Sequence, residues 1–359
     1  MDNLQEEKKE ENVVMEPINN KAPNNKKWIF IIVGLLLVAA VSVGLGFAFS
    51  SSNNKGKEND KEEKEEEKKE STATPILYEV TKEGSDTKIY LFGSIHVADN
   101  EAYPLPDAVL NAYEESDYLA VEADMVEFNG DLEAQTQALS LLTVNDDRML
   151  KDILKEETYN LLVEYLEENL YYNELFEYYR PVFLESLVAN VQVEKTKLDS
   201  NKGIDMYFLS DAKENNKEVL EVESVNFQYK LLASFPDELY DFMIYYEITN
   251  EDENIENTKK LYQLWLKGDE EALIELLNEE EDISEYEDDY ENLEEMLNDY
   301  DKKLVYDRNI GMADVAEEYF KDEKNVFFVV GAAHIVGDDA LVDLLTERGY
   351  TVTRVNYEK

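Results

Sequence analysis

From Trp28 to Phe49 the chain runs 22 residues without a charge, WIFIIVGLLLVAAVSVGLGFAF. As a helix rising 1.5 Å per residue this run covers about 33 Å, against a hydrocarbon core of about 30 Å. The apolar stretch of a cleaved signal peptide is shorter, about 7–15 residues. The run therefore reads as a transmembrane helix, although Ala48-Phe49-Ser50 mimics a cleavage site. It divides the chain into a polar tail (1–27), the spanning helix (28–49), a charged Lys/Glu linker (50–74) and a folded domain (75–359). Lys21, Lys26 and Lys27 precede the run, and Lys55, Lys57, Lys61 and Lys64 follow it among glutamates, so lysine counting leaves the orientation open. A short tail before a lone anchor and a large domain after it place that domain outside the cytoplasm. The expected location is the cell membrane, with a single pass through the bilayer.

The chain carries 83 acidic against 34 basic residues, a net charge of −49. Nucleic acid is excluded as a partner, because phosphate binding needs clustered Lys and Arg. The surface should instead attract cations or basic partners. Cysteine is absent, which removes disulfides, thiolate metal ligands and thiol nucleophiles.

Within 75–359, β-rich runs alternate with helical patterns. Ile76–Thr81 and Lys88–Ile95 read as a hairpin across Gly84. Tyr118–Glu122, Glu218–Val222, Asn325–Val330 and Thr351–Asn356 read as further strands. Val109, Ala112 and Tyr113 mark a helix after Pro106, and Ile204–Ala212 and Leu341–Arg348 mark two more. From Leu132 to Ser186, and again from 236 to 320, the spacing is helical throughout. The fold class is α/β, a mixed sheet with a large helical insertion.

The chain has two histidines, and both sit in the same local pattern. His96 lies in KIYLFGSIHVAD and His334 in VFFVVGAAHIVGD: an apolar strand, then Gly-x-x-His. In open α/β sheets ligands bind beyond the carboxyl ends of strands. A glycine there admits close approach, and two imidazoles can converge on one ion or one proton. Glu122 in YLAVEAD and Glu223 in VLEVES end two shorter strands and are the candidate carboxylates. If the four strands run one way, all four side chains share one crevice. Arg308 is the candidate cation, its alternative role being an ion pair with a nearby carboxylate.

The segments LFGSIHV, YLAVEAD, KGIDMYFLSDAKENNKEVLEVES, DRNIGMA and FFVVGAAHIVGDDALVDLLTERGYTV, in that order, resemble the TraB/GumN family over roughly 77–357. That family includes the pheromone-shutdown proteins TraB and PrgY and the Tiki ectodomain proteases of animals. The resemblance implies His96 and His334 as the motif histidines, Glu122 as the first motif carboxylate, Glu223 at the position of a motif glutamate, and Arg308-Asn309 as an Arg-Asn pair. It also implies a fold like the erythromycin-esterase and ChaN-like group. The acidic stretch Glu279–Asp301 departs from the pattern.

Four functions compete, the blandest being a membrane-tethered domain with a degenerate site. The first is a metal-dependent peptidase acting outside the cytoplasm. His96, His334 and Glu122 would hold Mn²⁺, Co²⁺ or Zn²⁺, and Glu122 or Glu223 would act as general base. The second is a metal-free hydrolase with one histidine activating water, oriented by Glu122. The third is a protein that sequesters a peptide without cleaving it, its acidic helices (236–301) facing a basic partner.

Overall fold

The computed structural model describes residues 71–279 and 282–357. The tail, the apolar run Trp28–Phe49 and the linker up to residue 70 lie outside the described residues. Among the described residues no helix is long and apolar enough to cross a membrane.

Six strands form one mixed sheet: β1 (Leu77–Thr81), β2 (Lys88–Ser94), β3 (Tyr118–Val121), β4 (Glu218–Glu221), β5 (Val326–Gly331) and β6 (Thr351–Arg354), in the order β4-β3-β5-β2-β1-β6. β1 and β2 pair antiparallel, and Gly84 supplies the left-handed residue of their turn at φ +81°. β2, β5, β3 and β4 all run parallel to one another. Strand burial follows position. Val326 to Val330 of central β5 are fully buried, as parallel strands covered on both faces must be. Edge strand β4 offers only half-buried Val219 and Leu220 to the core.

Two hydrophobic cores result. One surrounds the sheet, with Phe92 and Phe327 stacked in it and Phe208 packed edge-on against Phe92. The other is purely helical and includes Phe183, Leu187, Tyr240, Phe242, Leu297 and Tyr300. The second core is the expected insertion, but the helix is not continuous from Leu132 to Ser186. It breaks into Leu132–Leu142, Glu156–Glu168 and Pro181–Thr196, separated by a bridge from Thr143 to Tyr179 and by a positive-φ Leu170. The 236–320 stretch also divides. Glu251–Lys267 and Glu270–Leu277 pack on the sheet core instead, because Trp265 turns inward and donates to the Gly93 carbonyl at 2.7 Å. Leu293–Asp301 runs through a π-helical turn, Lys302–Tyr306, into Asp307–Lys321.

In the helical core Pro181–Thr196 packs against Asp237–Thr249. Between them lie two buried carboxyl groups, Glu185 and Glu247, hydrogen-bonded to each other. Burial pushes Glu185 up to about 8 and raises Glu247 well above the usual carboxylate range. The folded protein therefore binds protons here more tightly than the unfolded chain does. Between the unfolded value of about 4.3 and the folded value, stability must fall as pH rises. Glu185→Gln is expected to be more stable than the parent at pH 8, with a gap that shrinks toward pH 5. The slope should approach about 1.4 kcal/mol per pH unit per group, read from urea unfolding at several pH values. A gap independent of pH would mean the pair is ionised in the fold.

Candidate active site

Because β2, β5, β3 and β4 run in one direction, the residues following them leave the sheet on the same side. In the β2–β5 register Gly93 lies opposite Val330 and Ser94 opposite Gly331, so the two Gly-x-x-His segments emerge side by side. The β3–β4 ladder extends past the strands, with the Glu223 N–H donating to the Glu122 carbonyl at 2.9 Å. Above Gly331 the side chains meet. A Cβ placed on that glycine would stand 3.5 Å from Glu122 Oε1, 3.7 Å from His334 Cδ2 and 4.0 Å from His96 Nε2. Both histidines thus reach one point, inside the limit of about 12 Å beyond which two imidazoles cannot share an ion with bonds of about 2 Å.

Each imidazole is fixed through Nδ1. His334 Nδ1 lies 2.7 Å from Asn309 Oδ1, and Asn309 Nδ2 donates to the Asp339 carbonyl at 3.1 Å. That second bond settles which end of the amide faces the ring. Oδ1 accepts, so Nδ1 of His334 carries the proton and Nε2 presents a lone pair. His96 Nδ1 lies 2.7 Å from Asp205 Oδ2, which only accepts when ionised. Nε2 of both rings is buried without a hydrogen-bond partner, as is Ser94 Oγ. All three residues line one cavity of about 40 Å³.

The loop carrying His96 is clamped by the segment that carries Asp205. Ala98 and Asp199 exchange backbone bonds at 3.2 and 2.9 Å, and the Ile204 N–H donates to the Ile95 carbonyl at 3.0 Å. Gly203 passes so close that a Cβ there would stand 2.3 Å from the His96 carbonyl oxygen. Only glycine admits that approach.

Behind the histidines lies a buried ionic cluster. Arg308 Nε and Nη2 each donate to Glu223 at 2.8 Å, and Nη2 also donates to Glu122 Oε2 at 2.5 Å. Nη1 donates to the Leu304 carbonyl at 3.1 Å, an acceptor in the π-helical turn. Gln228 Nε2 bridges Glu122 and Glu223 at 3.3 and 3.1 Å. The remaining oxygen of Glu122 accepts from the Gly331 N–H at 2.8 Å. Both candidate roles for Arg308 therefore coincide: it pairs with carboxylates and it stands at the site.

The electrostatics separate the two rings. For His96, burial works to lower proton affinity, but the Asp205 carboxylate outweighs it and holds the ring up to about 9. For His334, burial and the Arg308 guanidinium together push the ring down to about 3. Burial works to raise Glu122, but Arg308 and the two rings dominate and bring it to about 2.

The histidines, Glu122, Glu223 and Arg308 are thus assembled in one place. Asp205, Gln228, Ser94 and Gly203 join them without a mark in the strand-end pattern, because Asp205 lies in the first turn of the helix Ile204–Asn215. The signal for it was the Gly-Ile-Asp run within KGIDMYF. For a divalent ion the donors fit in part. Two orphaned imidazole nitrogens face a cavity, and Glu122 Oε1 keeps a second lone pair. Among the described residues no ready-made group of three His, Asp or Glu ligands occurs.

Arg308 is 4% exposed, so its loss would strand the buried Glu122 carboxylate and the largely covered Glu223 carboxylate. Arg308→Met is expected to cost about 3–5 kcal/mol in urea unfolding at pH 7, as breaking a buried pair does. Arg308→Lys should recover only part, because an ammonium cannot reproduce the fork. An Arg308→Met protein of parental stability would show that the cluster does not hold the site.

A sequence model of the TraB/PrgY/gumN family matches residues 76–354. Two relatives, the uncharacterized proteins YbaP of Escherichia coli (strain K12) and of Shigella flexneri, are each 28% identical over 149 residues. That alignment covers 41% of this chain and 53% of each relative, so the chain spans about half the length of the curated relatives it matches. No solved structure matches. The family model covers the whole sheet and both Gly-x-x-His segments, and the chain belongs to the TraB/PrgY/gumN family.

Proposed function

We propose that this protein is a membrane-anchored, metal-dependent hydrolase of peptide bonds, with its domain outside the cytoplasm and its anchor at Trp28–Phe49. The observation that carries this reading is the pair of buried, unpartnered Nε2 atoms of His96 and His334 lining one cavity. Buried polar groups are otherwise bonded, so two orphans facing the same space point to a ligand that completes them. His96 and His334 would hold a divalent ion, Mn²⁺, Co²⁺ or Zn²⁺, with Glu122 Oε1 as the third donor. When bound, such an ion supplies a water of lowered pKa and polarises a carbonyl.

The remaining roles follow from the chain's own bonds. Asn309 and Asp205 set the two rings so that Nε2 points inward. Glu122, ionised by its neighbours, has Oε1 beside both rings above Gly331 and is the group to take a proton from water. Both Glu223 oxygens are taken up by Arg308, so Glu223 and Arg308 position Glu122.

One observation favours a metal-free variant of the same reaction. His96 is held up to about 9 and His334 down to about 3, which makes one ring an acid and the other a base at neutral pH. His334 would then accept the proton of water, and His96 would donate to the developing oxyanion.

Elemental analysis of the purified full chain, beside His96→Ala and His334→Ala, separates these. The expected result is about one divalent ion per chain, with both metal and peptide cleavage lost in either variant, as two of three ligands would require. Cleavage by a metal-free protein would select the second variant. Peptides bound yet recovered intact would point to sequestration instead.

A further inference from the structure

Three residues of the cavity lining carry a buried polar atom without a hydrogen-bond partner: His96 at Nε2, His334 at Nε2 and Ser94 at Oγ. The proposed function gives the two imidazoles a task and leaves the hydroxyl without one. Ser94 is 2% exposed, and a buried hydroxyl left unbonded is costly, so it calls for a partner as the rings do. None of the three atoms bonds another, so the partner is a ligand atom. Strand register places the hydroxyl. Ser94 pairs with Gly331 in the parallel β2–β5 ladder. Such partners present their side chains to the same face of the sheet, one strand spacing of about 4.8 Å apart. A Cβ on Gly331 would stand on that face, 3.5 Å from Glu122 Oε1 and 4.0 Å from His96 Nε2. The Ser94 side chain therefore shares the face on which the site is built.

We propose that Ser94 is a catalytic residue of this site, its hydroxyl donating a hydrogen bond to the substrate carbonyl oxygen as that oxygen becomes negative. This rests on the hydrolase reading above and adds the group that receives the oxyanion. In the step, the water oxygen bonds to the carbonyl carbon and a water proton passes to Glu122. The π pair of the C=O bond moves onto its oxygen. Ser94 keeps its own proton, and its hydrogen bond strengthens as the charge develops. Other donors of the lining are committed. Trp265 Nε1 donates to the Gly93 carbonyl at 2.7 Å, and the Gly331 N–H donates to Glu122 at 2.8 Å. With both Nε2 atoms on an ion, neither ring has a proton to offer there, and the Ser94 hydroxyl is the side-chain donor left in the lining. In the metal-free variant it acts beside His96. Leu261, Leu273, Leu277 and Val336 supply an apolar wall, which strengthens a hydrogen bond made against it. A water needs about 10–15 Å³ of such space, so a cavity of about 40 Å³ has room for an ion, a water and this one oxygen.

The test compares Ser94→Ala and Ser94→Cys with the parent, all as the full chain. Ser94→Ala should lower kcat for peptide cleavage about 100-fold at unchanged KM, the usual effect of removing one oxyanion donor. Ser94→Cys has nearly the same shape and a weak S–H donor, and its kcat should fall between the two. Metal content should equal that of the parent. The urea midpoint of Ser94→Ala should equal or exceed the parental one, because the hydroxyl removed has no partner in the fold. Binding reads the same contact without turnover. The capped phosphinic isostere of Ala-Ala carries a tetrahedral P–O⁻ in place of the oxyanion. By calorimetry it should bind Ser94→Ala at least tenfold more weakly than the parent, while the capped Ala-Ala peptide binds both alike. Parental kcat and parental phosphinate affinity in Ser94→Ala overturn the proposal. So does a loss of bound metal, which makes Ser94 a ligand, or a lowered urea midpoint, which makes it structural. Weakened phosphinate binding in Ser94→Ala, with a parent that cleaves no peptide, retains the oxyanion contact and removes the hydrolase reading. A parent that neither cleaves peptides nor binds the phosphinate overturns both.

Discussion

The clasp of Arg308 between Glu122 and Glu223 is the interaction on which the site depends. Its three partners come from distant parts of the chain: the end of β3, the end of β4 and a helix almost ninety residues further on. A guanidinium only 4% exposed is costly to bury, and it is tolerated because both carboxylates and a backbone carbonyl satisfy its donors. The clasp fixes more than charge. It aligns Glu122, whose other oxygen grips the Gly331 N–H and so anchors the strand end from which His334 departs. Its positive charge also helps keep His334 neutral. A single ion-pair cluster thus connects β3, β4 and β5 on the face where the histidines emerge.

The two histidines share a motif but not an environment. One leans on the Asp205 carboxylate, while the other is held down by burial and the Arg308 guanidinium, which moves their proton affinities in opposite directions. Matching sequence context therefore gives two chemically distinct rings. The distinction is imposed by Asp205 and Arg308, residues outside both motifs.

The strands were legible because their signal is local. Apolar runs at Lys88–Ile95 and Asn325–Val330, each closed by glycine, have few readings other than buried parallel strands, but their side-by-side placement was not legible, since β2 and β5 are neighbours only through the sheet order. The histidines and strand-end carboxylates were legible for the same reason. Asp205 was not, since the short Gly-Ile-Asp run alone sets it apart from the many other acids of the chain; the backbone clamp around Gly203 and Ile204 brings it to the ring. Helix boundaries in the acidic stretches were equally hidden, because the Leu and Tyr spacing persists across breaks made by turns. The apolar wall of the cavity needed tertiary structure altogether. Leu261, Trp265, Leu273 and Leu277 read as ordinary helix core, and only the inward turn of Trp265 onto Gly93 places them against the histidines. The anchor run Trp28–Phe49 lies outside the described residues.

The central claim is that His96 and His334 act as a pair on one ligand through Nε2. With two histidines in the chain, ¹⁵N-histidine labelling yields four ring nitrogens, and Zn²⁺ can be added stepwise while all four are followed. The account predicts that His334 begins as the Nδ1-protonated neutral tautomer, and that Nε2 of both rings moves in parallel and saturates at one ion per chain. A response confined to one ring, or a His334 protonated on Nε2, would contradict it.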